Sequence, residues 1–206
     1  MASTHPALVD RAKKILLTPK TEWPVIDGEP STIGDIYRNY VLILAAIPAI
    51  AGLIGNALFG YSALGVTFRV PIVTALSSAI VTYVLSLISV YVLALIIDAL
   101  APTFGGTKNQ TQAFKVAAYS NTAGWVAGIL TIIPQLGPIA ALLSLYGFYL
   151  LYLGLPGLMK APKDKALGYT IVTVIAAVIL FMVVGAVVAA VSAMFTPTFP
   201  IGAQLR

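Results

Sequence analysis

The chain has 206 residues, of which 59% are hydrophobic and only 9% are charged. A soluble domain cannot bury so large an apolar fraction, so the composition predicts a membrane protein with no room for a second, soluble domain. The formal net charge of +5 comes from residues near the ends of the apolar runs. It therefore indicates membrane orientation and attraction to anionic lipid, not binding to nucleic acid.

The N-terminal segment starts with a short amphipathic pattern. Leu8, Ala12 and Ile15 recur at helical spacing, and the charged residues among them fall mostly on other faces. This pattern predicts a basic amphipathic helix that either lies on the membrane surface or packs on the other segments. The prolines and glycines of residues 19–30 then predict an irregular connector, with Trp23 suited to the headgroup layer.

Five apolar runs follow, and each is long enough for one membrane crossing. Thr32 and Asp35 have the spacing of a capping box that opens the first run. The third run is the weakest because polar residues interrupt it at 120–122, and a Pro- and Gly-rich turn joins it to the fourth. A re-entrant pair over 114–158 is therefore the alternative to two full crossings. The predicted crossings are residues 36–58, 70–99, 114–133, 138–158 and 166–195.

Basic residues are concentrated in alternate gaps between these runs. Ten lie in the N-terminal segment and in the second and fourth loops, whereas the opposite side has only Arg69 and Arg206. The positive-inside rule then predicts a cytoplasmic N-terminus and an outward C-terminus. We predict an all-α bundle of five transmembrane helices at 36–196, preceded by a cytoplasmic segment at 1–35 and followed by an outer tail at 197–206. The predicted cytoplasmic surface includes Lys108, Lys115, Lys160, Lys163 and Lys165.

Small residues indicate where the helices meet, because lipid provides no hydrophobic driving force for their association and close backbone approach must replace it. A stripe of small polar residues in the second crossing is interpreted as ordinary packing or, alternatively, as a polar route through the bundle. The members of this stripe are Thr74, Ser78, Thr82 and Ser86. The predicted packing positions are Gly124, Gly128, Gly147, Gly154, Gly185 and Ala189.

The candidate chemistry is sparse. Asp98 lies near the cytoplasmic end of the second crossing, where it is either a proton or cation site or the structural partner of Lys108 or Lys115. The single His, His5, is expected in a mobile tail, which excludes a His-assisted serine site and a two-His zinc site. The lack of Cys excludes a cysteine nucleophile. We therefore predict no catalytic, cofactor or metal site. The polar loop at 107–112 is interpreted as a docking surface for a partner or lipid headgroups, or simply as a solvated helix entry.

Several stretches resemble the bacterial members of the Yip1 family of multispanning membrane proteins. They are Ile15–Pro19 followed by Glu22 and Trp23, Phe104–Gln110, and Leu145–Pro156, and they occur in the expected order. The resemblance implies five crossings, a cytoplasmic N-terminus and a place in the bacterial inner membrane. Many family members have a Pro after the Tyr-Ser pair that corresponds to Tyr119 and Ser120. This chain has Asn121-Thr-Ala there instead.

Two functional hypotheses follow. The first is a non-enzymatic scaffold or interaction protein of the inner membrane, whose partners are the bilayer, other copies of itself or other membrane proteins. The alternative is a small-solute or ion transporter that uses a polar route near Asp98. A cavity beside the polar stripe of the second crossing would favour transport, and a dry helix contact there would favour the scaffold.

Overall fold

A computed structural model describes residues 7–63, 66–68 and 71–195. The predicted outer tail at 197–206, as well as Arg69 and Arg206, lies outside these residues. Most of the described chain is helical, which confirms the predicted all-α class. The α-helices are α1 (Leu8–Leu17), α2 (Pro19–Gly28), α3 (Ile33–Ile36), α4 (Leu42–Leu58), α5 (Ile72–Leu100), α6 (Gln110–Ser120), α7 (Thr122–Ala127), α8 (Gly137–Ser144), α9 (Tyr146–Leu158) and α10 (Lys163–Phe195).

Four helical segments of the described chain are long and apolar enough to cross a membrane. They coincide with the first, second, fourth and fifth predicted runs. A π-helical turn at Tyr37–Val41 joins α3 to α4, and a 3-10 turn at Ala101–Phe104 extends α5. The four segments are Ile33–Leu58, Ile72–Phe104, Pro134–Leu158 and Lys163–Met194.

The third predicted run is helical but interrupted. It consists of α6, α7 and a 3-10 segment at Gly128–Ile132. The first break falls at Asn121, whose side-chain amide donates to the carbonyl of Ala117 over 2.8 Å. A polar side chain that bonds to the preceding turn competes with continuation of the helix. The polar stretch that weakens this run in the sequence is therefore the place where the helix breaks.

A short β-hairpin connects α4 to α5 and was not predicted. Its strands are β1 (Tyr61–Ala63) and β2 (Val66–Phe68). They pair antiparallel, with Tyr61 opposite Phe68. Aromatic and β-branched residues favour a strand at this position. The hairpin is too small to change the fold class.

The N-terminal segment departs from the sequence prediction in its second half. The helix α1 forms as expected, but the predicted irregular connector is wrong, because Pro19–Gly28 forms α2. Pro19 occupies the first turn, where its missing N–H would have no helical partner in any case. Trp23 and Ile26 are 3% and 0% exposed, so α2 is stabilised by burying one face in the bundle. Trp23 therefore packs inside the bundle instead of facing its surroundings.

The capping box that opens the first crossing is confirmed. The backbone N–H of Asp35 donates to the hydroxyl oxygen of Thr32 over 3.1 Å, and the Asp35 carboxylate accepts from the Thr32 N–H over 3.3 Å. Beyond this cap, α5 packs against α4, α6 and α10. The helix α9 packs against α6, α10 and α2.

Candidate functional site

Four charged side chains meet where α1 and α2 pack on α6, and we call this group the ionic junction. Its members are Arg11, Glu22, Glu29 and Lys115. The Arg11 guanidinium donates to the carboxylates of both Glu22 and Glu29. Arg11 and Glu22 are only 3% and 5% exposed. A buried charge is tolerated only when it is paired and hydrogen-bonded, and these groups satisfy that condition.

Lys115 completes the ionic junction from α6. Its ammonium group donates to the carbonyl oxygens of Ile26 over 2.8 Å and Glu29 over 2.7 Å. These carbonyls lie at and just beyond the C-terminal end of α2, where helical acceptors lack partners within the helix. The prediction that Lys115 lies on the cytoplasmic surface is wrong, because this contact buries it to 3% exposure. The junction as a whole carries two positive and two negative charges.

Aromatic rings support the ionic junction on its bundle side. The Arg11 guanidinium lies over the ring of Tyr119, 5.6 Å from its centroid, which is within the range of a cation–π contact. The Trp23 and Tyr40 rings both contact Tyr119 edge-on, at centroid distances of 6.5 and 4.8 Å. The Tyr40 hydroxyl is hydrogen-bonded to the hydroxyl of Thr122 over 2.7 Å. The junction is therefore continuous with the packed interior.

Asp27 joins three segments at the edge of this site. Its side chain accepts from the amide of Gln112 over 2.9 Å and from the ammonium of Lys160 over 2.6 Å. The backbone N–H of Thr107 donates to the carbonyl of Met159 over 2.9 Å, which fixes the second loop against the fourth. The N-terminal segment and these two loops, all predicted to be cytoplasmic, thus meet at one end of the bundle.

We call this end the basic end. Most of its lysines have exposed side chains, and Lys160 forms an exposed ion pair with Asp27. Such a concentration of exposed positive charge favours acidic partners and anionic lipid headgroups. The lysines of the basic end are Lys13, Lys14, Lys20, Lys108, Lys160, Lys163 and Lys165.

The sequence contained one signal for the ionic junction that the pattern analysis missed. Arg11 lies three residues after Leu8 and four before Ile15, so it shares their helical face. A charged residue on the apolar face of a short helix indicates a buried partner. Its partners, Glu22 and Glu29, could not be found from periodicity, because they lie in a segment without a regular apolar pattern.

The predicted packing glycines fall into two groups. Three of them lie where a β-carbon would be too close to a neighbouring segment: Gly128 against Pro48, Gly147 against the Ser120 carbonyl and Gly154 against the Trp23 ring. Gly124 lies in ordinary contact distance of Ser144. In contrast, no atom of another segment in the described part of the chain lies within 4 Å of this position at Gly185, and Ala189 is also exposed on α10.

The polar stripe of α5 divides between two environments. Thr74 is buried, and its carbonyl accepts from the Ser78 hydroxyl over 2.7 Å. The Ser78 hydroxyl also bonds to that of Ser192 on α10 over 2.7 Å, so this half of the stripe is a helix contact. Thr82 and Ser86 line a cavity instead. The first half of the stripe is therefore a helix contact, and the second half borders a cavity.

The cavity has a volume of about 490 Å³ and lies among α4 to α10. Its wall is largely apolar, and among the described residues that form it none is charged. Besides Thr82 and Ser86, its polar side chains are Ser89, Ser120, Asn121 and Ser144.

Asp98 lies apart from both the cavity and the ionic junction. It is five residues beyond Leu93, the last residue of α5 on the cavity wall. Its Oδ1 atom is buried and has no hydrogen-bond partner in the described part of the chain. The predicted partners are elsewhere, because Lys115 belongs to the ionic junction and Lys108 is exposed. The adjacent carbonyl of Ile97 accepts from the hydroxyl of Tyr169 on α10.

Comparison with known proteins identifies the family of this chain. The model of the Yip1 domain matches residues 13–198. The chain belongs to the Yip1 family. Inner membrane protein YohC of Escherichia coli (strain K12) is 27% identical to it over 156 residues, which cover 74% of this chain and 80% of YohC. YohC of Escherichia coli O6:H1 matches to the same extent. No solved structure matches the chain.

Most of the ionic junction and the whole cavity lie inside the Yip1 domain. The Yip1 domain includes Glu22, Glu29 and Lys115 of the ionic junction, and Arg11 lies two residues before its start. All the helices that surround the cavity also lie inside the domain. The relatives named for the inner membrane agree with the four apolar spans of this chain. The protein is therefore a Yip1-domain membrane protein.

Proposed function

We propose that this Yip1-family protein is a non-enzymatic scaffold or interaction protein of the bacterial inner membrane. The observation that carries the proposal is the ionic junction, which holds α1 and α2 against α6. A segment that only attached the chain to lipid could keep all its basic groups in water, as Lys13 and Lys14 do. The buried junction instead gives the basic end one defined shape.

The energetics of buried charge support this interpretation. Removing Arg11 and Glu22 from water has a desolvation penalty that a purely apolar contact would not have. What the paired charges provide in return is a single register, because each donor matches its acceptor in only one arrangement. A fixed register matters for a surface that recognises a protein and much less for one that contacts headgroups.

The helix α10 provides the surface for association within the membrane. Only 11% of its apolar window is buried inside the chain, compared with 17–33% for the other three spans. Gly128 and Gly147 are already in contact with neighbouring segments of the same chain, whereas Gly185 and Ala189 are exposed. Small residues allow the close backbone approach that membrane helices need. A second copy or another membrane protein would therefore pack on α10 at Gly185 and Ala189.

Energy transfer between labelled copies tests this association. Because the chain has no Cys, one introduced at the exposed position Lys13 accepts a donor or acceptor fluorophore selectively. We expect transfer in liposomes above the level of random proximity, and we expect the double variant Gly185→Leu, Ala189→Leu to lose it. Val183→Leu, at a site 54% exposed on the same helix, is the matched control. Unchanged transfer in the double variant would reject the assignment to α10.

Transport is the second candidate, and the cavity beside Thr82 and Ser86 is the observation that favours it. Two features oppose it. The bond between Ser78 and Ser192 closes the stripe on the other side of the cavity, and Asp98 does not line the cavity wall. Ion or proton flux into the same liposomes discriminates the two functions. Flux that Asp98→Asn abolishes would replace the scaffold proposal with transport, whereas absence of flux supports the scaffold.

A further inference from the structure

The cavity lies at the depth of the hydrocarbon core. Ser86 and Leu180, which both line it, are near the middle of the segments Ile72–Phe104 and Lys163–Met194. Pro48 is likewise near the middle of Ile33–Leu58. A membrane span of about 20 residues covers the hydrocarbon region, so side chains halfway along it are far from either aqueous surface. A ligand of this cavity therefore comes from the bilayer.

The cavity reaches the lipid-facing surface on one side. Leu145 and Phe181 both line its wall, and they are 53% and 57% exposed. Deeper in the wall, Ser120, Leu151 and Ala177 are only 2–3% exposed. This difference gives the cavity an open side between the α8–α9 junction and α10, and a closed inner end against α6. A chain-like molecule can enter from the bilayer without crossing a polar surface.

The polar groups of the wall differ in their hydrogen bonding. The hydroxyls of Ser89 and Ser144 each donate to the carbonyl four residues earlier in their own helix, over 2.7 Å. The hydroxyl oxygens of Ser86 and Ser120 are buried and have no hydrogen-bond partner in the described part of the chain. Buried polar groups are normally bonded, and those that are not require an explanation. A ligand bound in the cavity is such an explanation.

The chemistry of the wall restricts that ligand. Because none of the described lining residues is charged, an ion would lose its hydration without compensation. The apolar majority of the wall matches a hydrocarbon chain, and the volume of about 490 Å³ is that of a small-molecule site. A ligand hydroxyl can both donate and accept, as the hydroxyls of Ser86 and Ser120 require.

We propose that this cavity binds a single-chain lipid alcohol, taken up from the bilayer between Leu145 and Phe181. Its hydroxyl group bonds to Ser86 and Ser120, and its chain extends along the apolar wall toward the open side. This site is separate from the ionic junction, and its open side at Phe181 lies on α10 four residues before Gly185. It does not depend on the proposed scaffold function.

Tryptophan fluorescence provides a direct test, because Trp125 lines the cavity and the chain has only one other Trp. In the variant Trp23→Phe, Trp125 is the sole reporter. Bromine atoms quench tryptophan on contact, so 9,10-dibromostearyl alcohol is the probe. We expect saturable quenching of the detergent-solubilised protein. We expect Ser120→Ala to weaken the apparent affinity about tenfold, the effect of losing a buried hydrogen-bond partner.

A brominated alkane of equal length, 9,10-dibromooctadecane, separates the contribution of the hydroxyl. It should bind more weakly and should be insensitive to Ser120→Ala. Ser86→Leu should fill the cavity and abolish saturable quenching. Ala141→Leu, at an exposed position on the wall, should have the same effect and replaces Ser86→Leu if that variant does not fold. Quenching that does not saturate, or that both filling variants leave unchanged, overturns the site. Equal affinity of alcohol and alkane overturns the hydroxyl anchor and with it the proposed ligand class.

Discussion

Arg11 on α1 forms an ion pair with Glu22 on α2, and both side chains are almost completely buried. The two helices have ten residues each, a length at which an isolated helix is marginal in water. Their stability therefore depends on contacts with the bundle and with each other. The pair Arg11–Glu22 links them directly, and Lys115 links them to α6.

Removing the cation from the ionic junction should be strongly destabilising. Arg11→Ala leaves the carboxylates of Glu22 and Glu29 without their donor in a buried position. Loss of one partner of a buried pair costs about 3–5 kcal/mol. We expect a clear fall in the thermal midpoint of the detergent-solubilised protein, measured by the loss of helical circular dichroism.

Two further variants show whether the loss of stability in Arg11→Ala comes from the unpaired buried charges. Lys13→Ala, on the exposed face of the same helix, should change the stability by less than about 0.5 kcal/mol. The double variant Arg11→Met, Glu22→Leu removes both charges, and it should be closer to wild type than Arg11→Ala. If Arg11→Ala and Lys13→Ala have equal effects, the ionic junction does not stabilise the fold.

Loss of the Lys115 ammonium should release the end of α2. Lys115→Met keeps the apolar stem of the side chain but leaves the carbonyls of Ile26 and Glu29 without this donor. We expect trypsin to cleave at Lys20 about tenfold faster, because local opening exposes the helix and a lost buried donor weakens it. Lys108→Met, at an exposed position, is the control, and an equal rate in both variants would contradict the role of Lys115.

A methyl group at Gly154 should displace the Trp23 ring. The added β-carbon would lie 2.8 Å from the nearest ring atom, closer than packed atoms approach, and such overpacking costs about 1–3 kcal/mol. In a Trp125→Phe background, Gly154→Ala should shift the Trp23 emission to longer wavelength. Gly157→Ala lies on the same helix, where the described residues of other segments leave the β-carbon position free within 4 Å, and it should leave the emission unchanged. An equal shift in both variants would show that a general change in α9, and not the contact between Gly154 and Trp23, alters the emission.

The hydrogen bond between Tyr40 and Thr122 should couple the π-helical turn before α4 to α7. Tyr40→Phe leaves the buried Thr122 hydroxyl without this partner, which costs about 1–3 kcal/mol. Thr122→Val removes the other partner and preserves the shape. A double-mutant cycle on thermal stability should give a coupling of about 1 kcal/mol. Additive effects of the two substitutions would show that the hydroxyls do not interact.

The features predicted correctly from sequence are local ones. The helix α1 and the capping box at Thr32 and Asp35 each depend on residues within one or two turns of each other. The sequence indicates only that polar residues at 120–122 weaken the third run, and the helix breaks there at Asn121. The four long spans follow in the same way from continuous runs of apolar residues. Local hydrogen-bonding and hydrophobic patterns involve residues that are close in sequence, so they can be recognised without knowing which segment packs against them.

The features that sequence reasoning missed depend on distant residues. The ionic junction joins Arg11 to Glu29 across the whole of α2, and it joins Glu29 to Lys115, 86 residues farther along the chain. The helical state of Pro19–Gly28 depends on burial of Trp23 against Gly154. In each case a long-range contact provides stabilisation that outweighs an unfavourable local preference.

Composition and periodicity established that the chain is a helical membrane protein, and they located its apolar runs and its lysines. The packed fold decided which charged residues leave the surface, and it separated buried glycines from the exposed Gly185. It also divided the polar stripe of α5 between Ser192 and the cavity. Burial and hydrogen-bond partners are properties of segments that meet in space. They cannot be recognised from the order of residues until it is known which segments pack together.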